Sequence, residues 1–334
     1  MSKALHYMVV DSETATLPLC AEIARNAEEK KKLAIAKPLI YDLGWVITNR
    51  KGEILDKKQF LVAETFAVPQ VFNTAYYAEK RPLYLEMLKR GETSIKPWDE
   101  IMEIFLADLR TVDAVGAFNS MFDFKKALPF TELYIRKLYS ANYQAWEEIQ
   151  RDSCRYILTN NRPSSNPEFD AENFKFRGEE FPLFDLWGLA TTHLLNNVSY
   201  KNECINHGLL TASGVYFKTS AESSYQYLCN KYDFVESHTA LDDAIIETFI
   251  LSKVAKRHAI TLGIKYFPFR DLGETIEFAM RRKVPKMEEC QAIYDAIAAY
   301  IDAKQEAQQE SNYLTGLINK LHRLAAYMEM DCPY

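Results

Sequence analysis

The chain has 334 residues, 48% of them hydrophobic, with 11 Gly, 12 Pro and a formal net charge of -6. That composition belongs to a soluble globular protein, one large domain or a large domain with a smaller companion, and excludes fibrous and disordered classes. The acidic balance excludes a broad basic surface that coats duplex nucleic acid, but not a narrow site gripping one strand end.

Six cysteines lie scattered, at positions 20, 154, 204, 229, 290 and 332, with no CxxC pair. This argues against a zinc ribbon or a disulfide framework and for reduced thiols in a cytoplasm. The N-terminal MSKALHYMVV is too short in apolar residues for a signal peptide, and no run approaches the roughly 18 apolar residues of a membrane span. A soluble cytoplasmic protein with no membrane partner is expected.

In chain order, LHYMVVD reads as a first buried strand. A polar, helix-like insertion, CAEIARNAEEKKKLAIAK, follows and ends at Pro38. In YDLGWVITNRKGEILDKKQFLV the alternation of Leu43, Trp45 and Ile47 and the turn signal NRKG predict a hairpin. Residues 68–110 read as helical with a break near RGETSIKP, and VDAVGAFN is a second short strand running into the helix start SMFDFKKAL. Residues 160–182, rich in Asn, Pro and Gly, read as a surface loop. FPLFDLWGLATTHLL reads as a strand end entering a helix, and SAESSYQYL and SHTALDDAIIETFILSKVAKRH as two further helices. Beyond residue 262, Met287, Cys290, Tyr294, Ile297 and Ile301, then Tyr313, Leu314, Leu317, Leu321, Leu324 and Met328, recur at steps suited to a helical hairpin. Such a hairpin packs on the main domain or binds a partner. Strands interleaved with helices predict an α/β domain with a mixed sheet.

Three short stretches carry possible chemistry. In VVDSETATL, Asp11 and Glu13 are two positions apart, so on a strand they share a face. Two carboxylates held side by side repel, and a hard divalent cation such as Mg²⁺ or Mn²⁺ relieves that repulsion. In AVGAFNSMFDFKKAL a strand delivers Asn119, with Asp123 in the first helical turn, where the helix dipole alone would also favour an acid. In ESHTALDDAIIETF, His238 precedes a helix bearing Asp242 and Asp243. Histidine is the side chain most easily poised as a base near neutral pH. Singly, each motif is short and common by chance.

Together and in order, DSET, FNSMFD and HTALDDA resemble the three motifs of the DEDD superfamily of 3′–5′ exonucleases, in its DEDDh branch. That group includes the proofreading subunits of bacterial replicative DNA polymerases and small RNA-trimming enzymes. The resemblance covers roughly residues 5–255. It implies a ribonuclease H-like mixed five-stranded sheet flanked by helices, an exonuclease domain over 1–262, and a C-terminal helical extension over 263–334. It also implies that Asp11, Glu13, Asp123 and Asp243 hold two Mg²⁺, with Mn²⁺ able to substitute, and that His238 is the general base. Asp243 is chosen over Asp242 on the family spacing. Thr14 and Leu17 would contact the terminal nucleotide, with Asn119 and Phe122 supporting the second motif. Against these stand strand termination for Thr14, core packing for Leu17 and Phe122, and helix capping for Asn119. Asp185, a further strand-end acid, is given a structural role.

The implied activity is hydrolysis of phosphodiester bonds at single-stranded DNA 3′ ends, in replication or repair, with the surrounding anions raising the pKa of His238. The same chemistry on RNA is an alternative, as is an inactive nuclease-like protein that docks a polymerase through its C-terminal helices. Insertions after Asp11 and between Asp123 and His238, and Thr16 where the family often has Gly, set this chain apart from compact members. Phosphate-cradling glycine loops and the serine-hydrolase elbow are absent.

Overall fold

The computed structural model describes residues 5–159 and 173–255, together with isolated positions between 283 and 322. The chain divides into two compact units: Met1–Leu194 with Thr219–Glu274, and Leu195–Lys218 with Thr275–Tyr334.

The first unit is built on a seven-stranded sheet. Its strands are β1 (His6–Thr16), β2 (Pro38–Asn49), β3 (Ile54–Val62), β4 (Ser94–Lys96), β5 (Ala114–Ala117), β6 (Asn173–Phe176) and β7 (Glu179–Asp185). Their order is β4-β3-β2-β1-β5-β7-β6. The pairs β1–β2, β2–β3 and β6–β7 are antiparallel, and β1–β5, β5–β7 and β3–β4 are parallel. This is the α/β, ribonuclease H-like mixed sheet that was expected, enlarged from five strands to seven by the edge strands β4 and β6.

Strand β1 sits between two cores. Met8 and Val10 belong to one, with Trp45, Phe105 and the helix Trp98–Leu109; Tyr7 and Val9 belong to the other, with Ile246, Ile250 and the helix Ala240–Val254. All four side chains are at most 2% exposed, each contributing about 1.5–3 kcal/mol through burial. A strand covered on both faces must be apolar throughout, which is why HYMVV lacks the alternation of a half-solvated strand.

The β2–β3 hairpin closes as its NRKG turn predicts. Gly52 takes φ +80°, and its N–H donates to the Asn49 carbonyl at 3.0 Å. The polar insertion after β1 forms two helices, Pro18–Ile23 and Ala27–Ala36, the second capped by the Asn26 side chain on Glu29 N–H. The loop reading of residues 160–182 is corrected over its last ten residues, where β6 and β7 form a hairpin. Residues Arg177 and Gly178, at φ 47° and 85°, make the turn. Phe174, Phe176 and Phe181 are buried, so the alternating aromatics outweigh the polar composition that suggested a loop. Residues 160–172 lie outside the described residues.

In the second unit, the described part contains the helix Val198–Asn206 and antiparallel bridges Leu210–Phe217 and Tyr216–Lys283. The domain boundary expected at 262, and the helical extension expected over 263–334 apart from isolated positions, lie outside the described residues. No helix among the described residues is long and apolar enough to cross a membrane.

Candidate metal centre

Asp11 and Glu13 continue the Tyr7–Val9 side of β1, toward the helix Ala240–Val254. That helix reaches the sheet because β2 carries Gly44 opposite Asp11. A Cβ on Gly44 would stand 2.4 Å from the Leu241 backbone nitrogen, so any side chain there would push the helix off. Asp42, opposite Glu13, fixes the same helix end from below. Its carboxylate accepts from Ala240 N–H at 3.0 Å and from Gln59 Nε2 at 2.9 Å. Burial still raises the Asp42 pKa to about 6.

The seated helix places its two adjacent acids differently. Asp242 is exposed, and its Oδ2 accepts from Thr239 Oγ1 at 2.9 Å and Ser237 Oγ at 3.0 Å, closing the helix start. Asp243 is 7% exposed and faces the strand. A ligand atom from each of Glu13, His238 and Asp243 lies within 4.8 Å of the others. His238 Nδ1 is 3.9 Å from both Asp243 Oδ2 and Glu236 Oε2.

Asp123 arrives by another route. The short helix Ser120–Phe122 passes into a π-turn over Asp123–Ala127, an irregularity frequent at functional positions. Asp123 is 4% exposed, and Ser12 Oγ donates to its Oδ1 at 2.6 Å. Ser12 belongs to the Met8–Val10 side of β1, so one Asp123 oxygen is held from the face opposite Asp11 and Glu13. The carboxylate still lies close enough to disfavour charge on Asp11.

A fifth acid was not anticipated. Glu247, one helical turn after Asp243, is 3% exposed, and its Oε2 accepts from Phe118 N–H at 3.2 Å. After burial, Glu247 is the strongest influence raising the Asp11 pKa. Its only sequence signal was an acid four residues after Asp243 inside the otherwise apolar AIIETF.

The electrostatics are those of crowded carboxylates. Burial, then Asp243, raises Glu13; burial, then Asp123, raises Glu247. Burial lifts Asp123 to about 7, and burial with Glu236 and Asp242 lifts Asp243 to about 8. Asp243 Oδ1 and Glu236 Oε1 are buried without a hydrogen-bond partner. An unpartnered oxygen among mutually repelling acids fits a hard divalent cation, which would supply the missing charge and the missing partner. Glu13, Asp243 and Asp11 form the face that could hold it.

His238 departs from expectation in one respect. Its pKa is lowered, first by burial and then by Lys80, and these outweigh the anion Glu222. The ring is therefore neutral, and ready to accept a proton, from below its ordinary value upward. Its backbone is left-handed, at φ 50°. The 234–238 segment is held in place by the 77–80 stretch. Tyr77 stacks on the imidazole at 4.3 Å and 15°, and Lys80 Nζ lies 4.4 Å over the Tyr77 ring and donates to the Ser237 carbonyl.

The remaining expected residues are placed as follows. Thr14 is half-buried beside Glu13 at the β1 bulge. Leu17, 1% exposed, packs in the main core and offers no face to a nucleotide. Asn119 is exposed and sits at the N-cap position of the 120–122 helix, but its side chain makes no cap bond; its backbone carbonyl accepts from Phe122 N–H at 2.7 Å. Phe122 is partly buried against the main core. Asp185 is 3% exposed, and its two oxygens accept from Ser120 N–H at 3.0 Å and Gly188 N–H at 2.8 Å, tying two helix starts to β7.

No family model matches this sequence, and no curated protein matches it. Among solved structures the chain is similar to cell-death related nuclease 4, with 12% identity and a TM-score of 0.34, over 75% of this chain and 64% of that one. The chain thus spans less than two thirds of that protein's length. A likeness this loose transfers neither residues nor activity.

Proposed function

We propose that this chain is a metal-dependent 3′–5′ exonuclease of the DEDDh kind, hydrolysing phosphodiester bonds at single-stranded nucleic acid ends. The observation that carries the reading is the approach of Glu13, His238 and Asp243, from a strand, a loop and a helix, to within 4.8 Å of one another beside Asp11. The order of motifs in the sequence supports it independently.

In this reading Asp11, Glu13, Asp123 and Asp243 hold two Mg²⁺, or Mn²⁺ in their place. Bound divalent cations supply Lewis-acid activation and charge neutralisation at the reacting phosphate. Neutral His238 takes the proton of the attacking water, a contribution of about 10²–10⁴-fold. Tyr77 and Lys80 keep its ring aimed at the carboxylate face. Thr14 contacts the strand end, and Asn119 and Phe122 support the turn that carries Asp123. Single-stranded DNA is the proposed substrate, in replication or repair, as the resemblance to proofreading subunits suggests. Docking of a polymerase through residues 263–334 rests on the sequence periodicity alone.

The test is to offer end-labelled single-stranded DNA and RNA of matched sequence with Mg²⁺, Mn²⁺ or EDTA, beside Asp11→Ala. A metal-dependent ladder from the 3′ end, absent in the variant, is expected, and the DNA-to-RNA ratio ranks the substrates. A folded, metal-loaded protein that cleaves neither would overturn the reading and favour an interaction protein.

A further inference from the structure

Cys20 and Cys154 are 134 residues apart in sequence, yet their Sγ atoms lie 3.2 Å apart, both buried. We propose that they form a reversible redox site, a dithiol that a hydroperoxide converts to a disulfide clamping the helix Pro18–Ile23 to the helix Tyr143–Thr159. The site is separate from the carboxylate face, and its test does not depend on nuclease activity.

Three features of the surroundings support the chemistry. First, the helices are already fixed against each other: Arg151 Nη1 meets Glu22 Oε2 at 3.3 Å across the same contact. Closing the sulfurs from 3.2 Å to a bond of about 2.05 Å needs only a small local shift. Second, the pair sits among cations. Lys37, whose Nζ donates to Gln150 Oε1 at 2.8 Å one turn before Cys154, joins Arg151 in favouring a thiolate at Cys154, while the hydrogen bond to Cys154 and burial push the Cys20 thiol up and keep it protonated. The Cys20 S–H is the largest influence holding the Cys154 thiol below its ordinary range. Thiolates, not thiols, react with peroxides, and cations beside a cysteine promote them. Third, Cys20 is among the residues that line a cavity of about 470 Å³, with Thr16, Ala21, Lys30, Thr74 and Tyr76, so a molecule as small as hydrogen peroxide can come within one residue of the Cys154 sulfur.

The reaction balances without another participant. One sulfur, as thiolate, attacks a peroxide oxygen; the O–O bond breaks, hydroxide leaves, and that cysteine becomes a sulfenic acid. The second sulfur then attacks the first; the S–O bond breaks and the hydroxide departs. Each hydroxide takes one of the two thiol protons, so two thiols and one hydrogen peroxide give one disulfide and two waters. The thiols lose two electrons and the peroxide gains them.

The experiment exposes the full, reduced chain to hydrogen peroxide under native conditions. Remaining thiols are blocked with N-ethylmaleimide in denaturant, and the digest is mapped by mass spectrometry. The expected product is a peptide linked through Cys20 and Cys154, with a melting temperature raised by several degrees because the closed loop is long. Dithiothreitol should reverse both. In Cys20→Ser, Cys154 should be trapped by dimedone as a sulfenic acid, and the thermal shift should vanish. Both cysteines remaining fully blocked by maleimide, or oxidation falling equally on Cys204 and Cys229, would overturn the proposal. If the variant fails to fold, the map of the unaltered chain decides alone.

Discussion

Asp185, at the end of β7, and Asp243, in the first turn of the helix Ala240–Val254, are both buried acids with raised pKa values, but their partners differ. Each Asp185 oxygen accepts a backbone N–H, from Ser120 and Gly188. One oxygen of Asp243 has no hydrogen-bond partner at all. A buried polar atom left unpaired costs roughly 1–3 kcal/mol. The unpaired Asp243 oxygen beside Asp11, Glu13 and Glu247 is available to the cation proposed above, whereas Asp185, with both oxygens satisfied, braces two helix starts. Burial alone does not separate the two, but the inventory of donors does.

The largest effect that sharpens this contrast is on cleavage. Asp243→Asn should reduce activity by about a thousandfold or more, since cation-assisted stabilisation is worth several kcal/mol, while raising the melting temperature of the metal-free protein by relieving repulsion. Asp185→Asn should show the reverse, a loss of about 1–3 kcal/mol in stability with the folded fraction still active. Steady-state cleavage and thermal melts on the same samples check both, and identical profiles for the two variants would break the contrast.

Next comes the removal of His238. His238→Asn keeps a residue that tolerates the left-handed backbone and should cost about 10²–10⁴-fold in turnover. In the unaltered protein the lowered His238 pKa should place an acid limb of the pH–rate profile below about 6.5. The variant should lose the His238 component of that limb and keep only the fall that follows from protonation of the metal-holding carboxylates. A profile that does not change shape would remove His238 from the base role.

A smaller effect is on stability and its dependence on pH. Asp243, pushed up to about 8, and Asp123, pushed up to about 7, keep protons in the fold that an unfolded chain releases near pH ~4. The folded state therefore binds more protons than the unfolded one between about pH 4 and those values, so metal-free stability falls as pH rises through that window. The sum should reach a few kcal/mol. Mg²⁺ should restore melting temperature near pH ~8 and do little near pH ~5, where protons compete for the same oxygens. Asp185, raised to about 7, adds to the fall, but its share should not respond to metal.

The smallest is Tyr77→Leu, which removes the ring stacked on His238. Up to about tenfold in turnover is expected, matching the ~0.5–1.5 kcal/mol of an aromatic contact, with binding of metal unchanged by calorimetry.

Local sequence pattern reached some of these features and not others. The strand bearing Asp11 and Glu13, the β2–β3 hairpin and the 240–254 helix were legible because apolar runs, turn residues and first-turn acids are written within a dozen positions. Glu247 was obscured by the apolar residues around it, and Asp42 reads as an ordinary acid in a strand until Ala240 N–H is brought to it. Tyr77 and Lys80 act on a segment some 160 residues away, and nothing near them in the sequence points there. The β6–β7 hairpin was hidden by polar neighbours. The cysteines looked scattered because spacing along the chain says nothing about α-helices that pack side by side. Except at the β6–β7 hairpin, where the contact is local, the missing information was a long-range contact, which periodicity does not encode.

Strand β1, wedged between two cores, also has a bearing on biosynthesis. Its carboxylates are synthesised well before the helix that supplies Asp243 and Glu247 and covers the Tyr7–Val9 face, which ends at Val254. A chain stopping before Ala240 carries Asp11, Glu13 and Asp123 without Asp243 and Glu247, and leaves the strand uncovered. Any hydrolytic capacity would appear only once that helix has been made, so unfinished copies would be inert toward the cell's own nucleic acids.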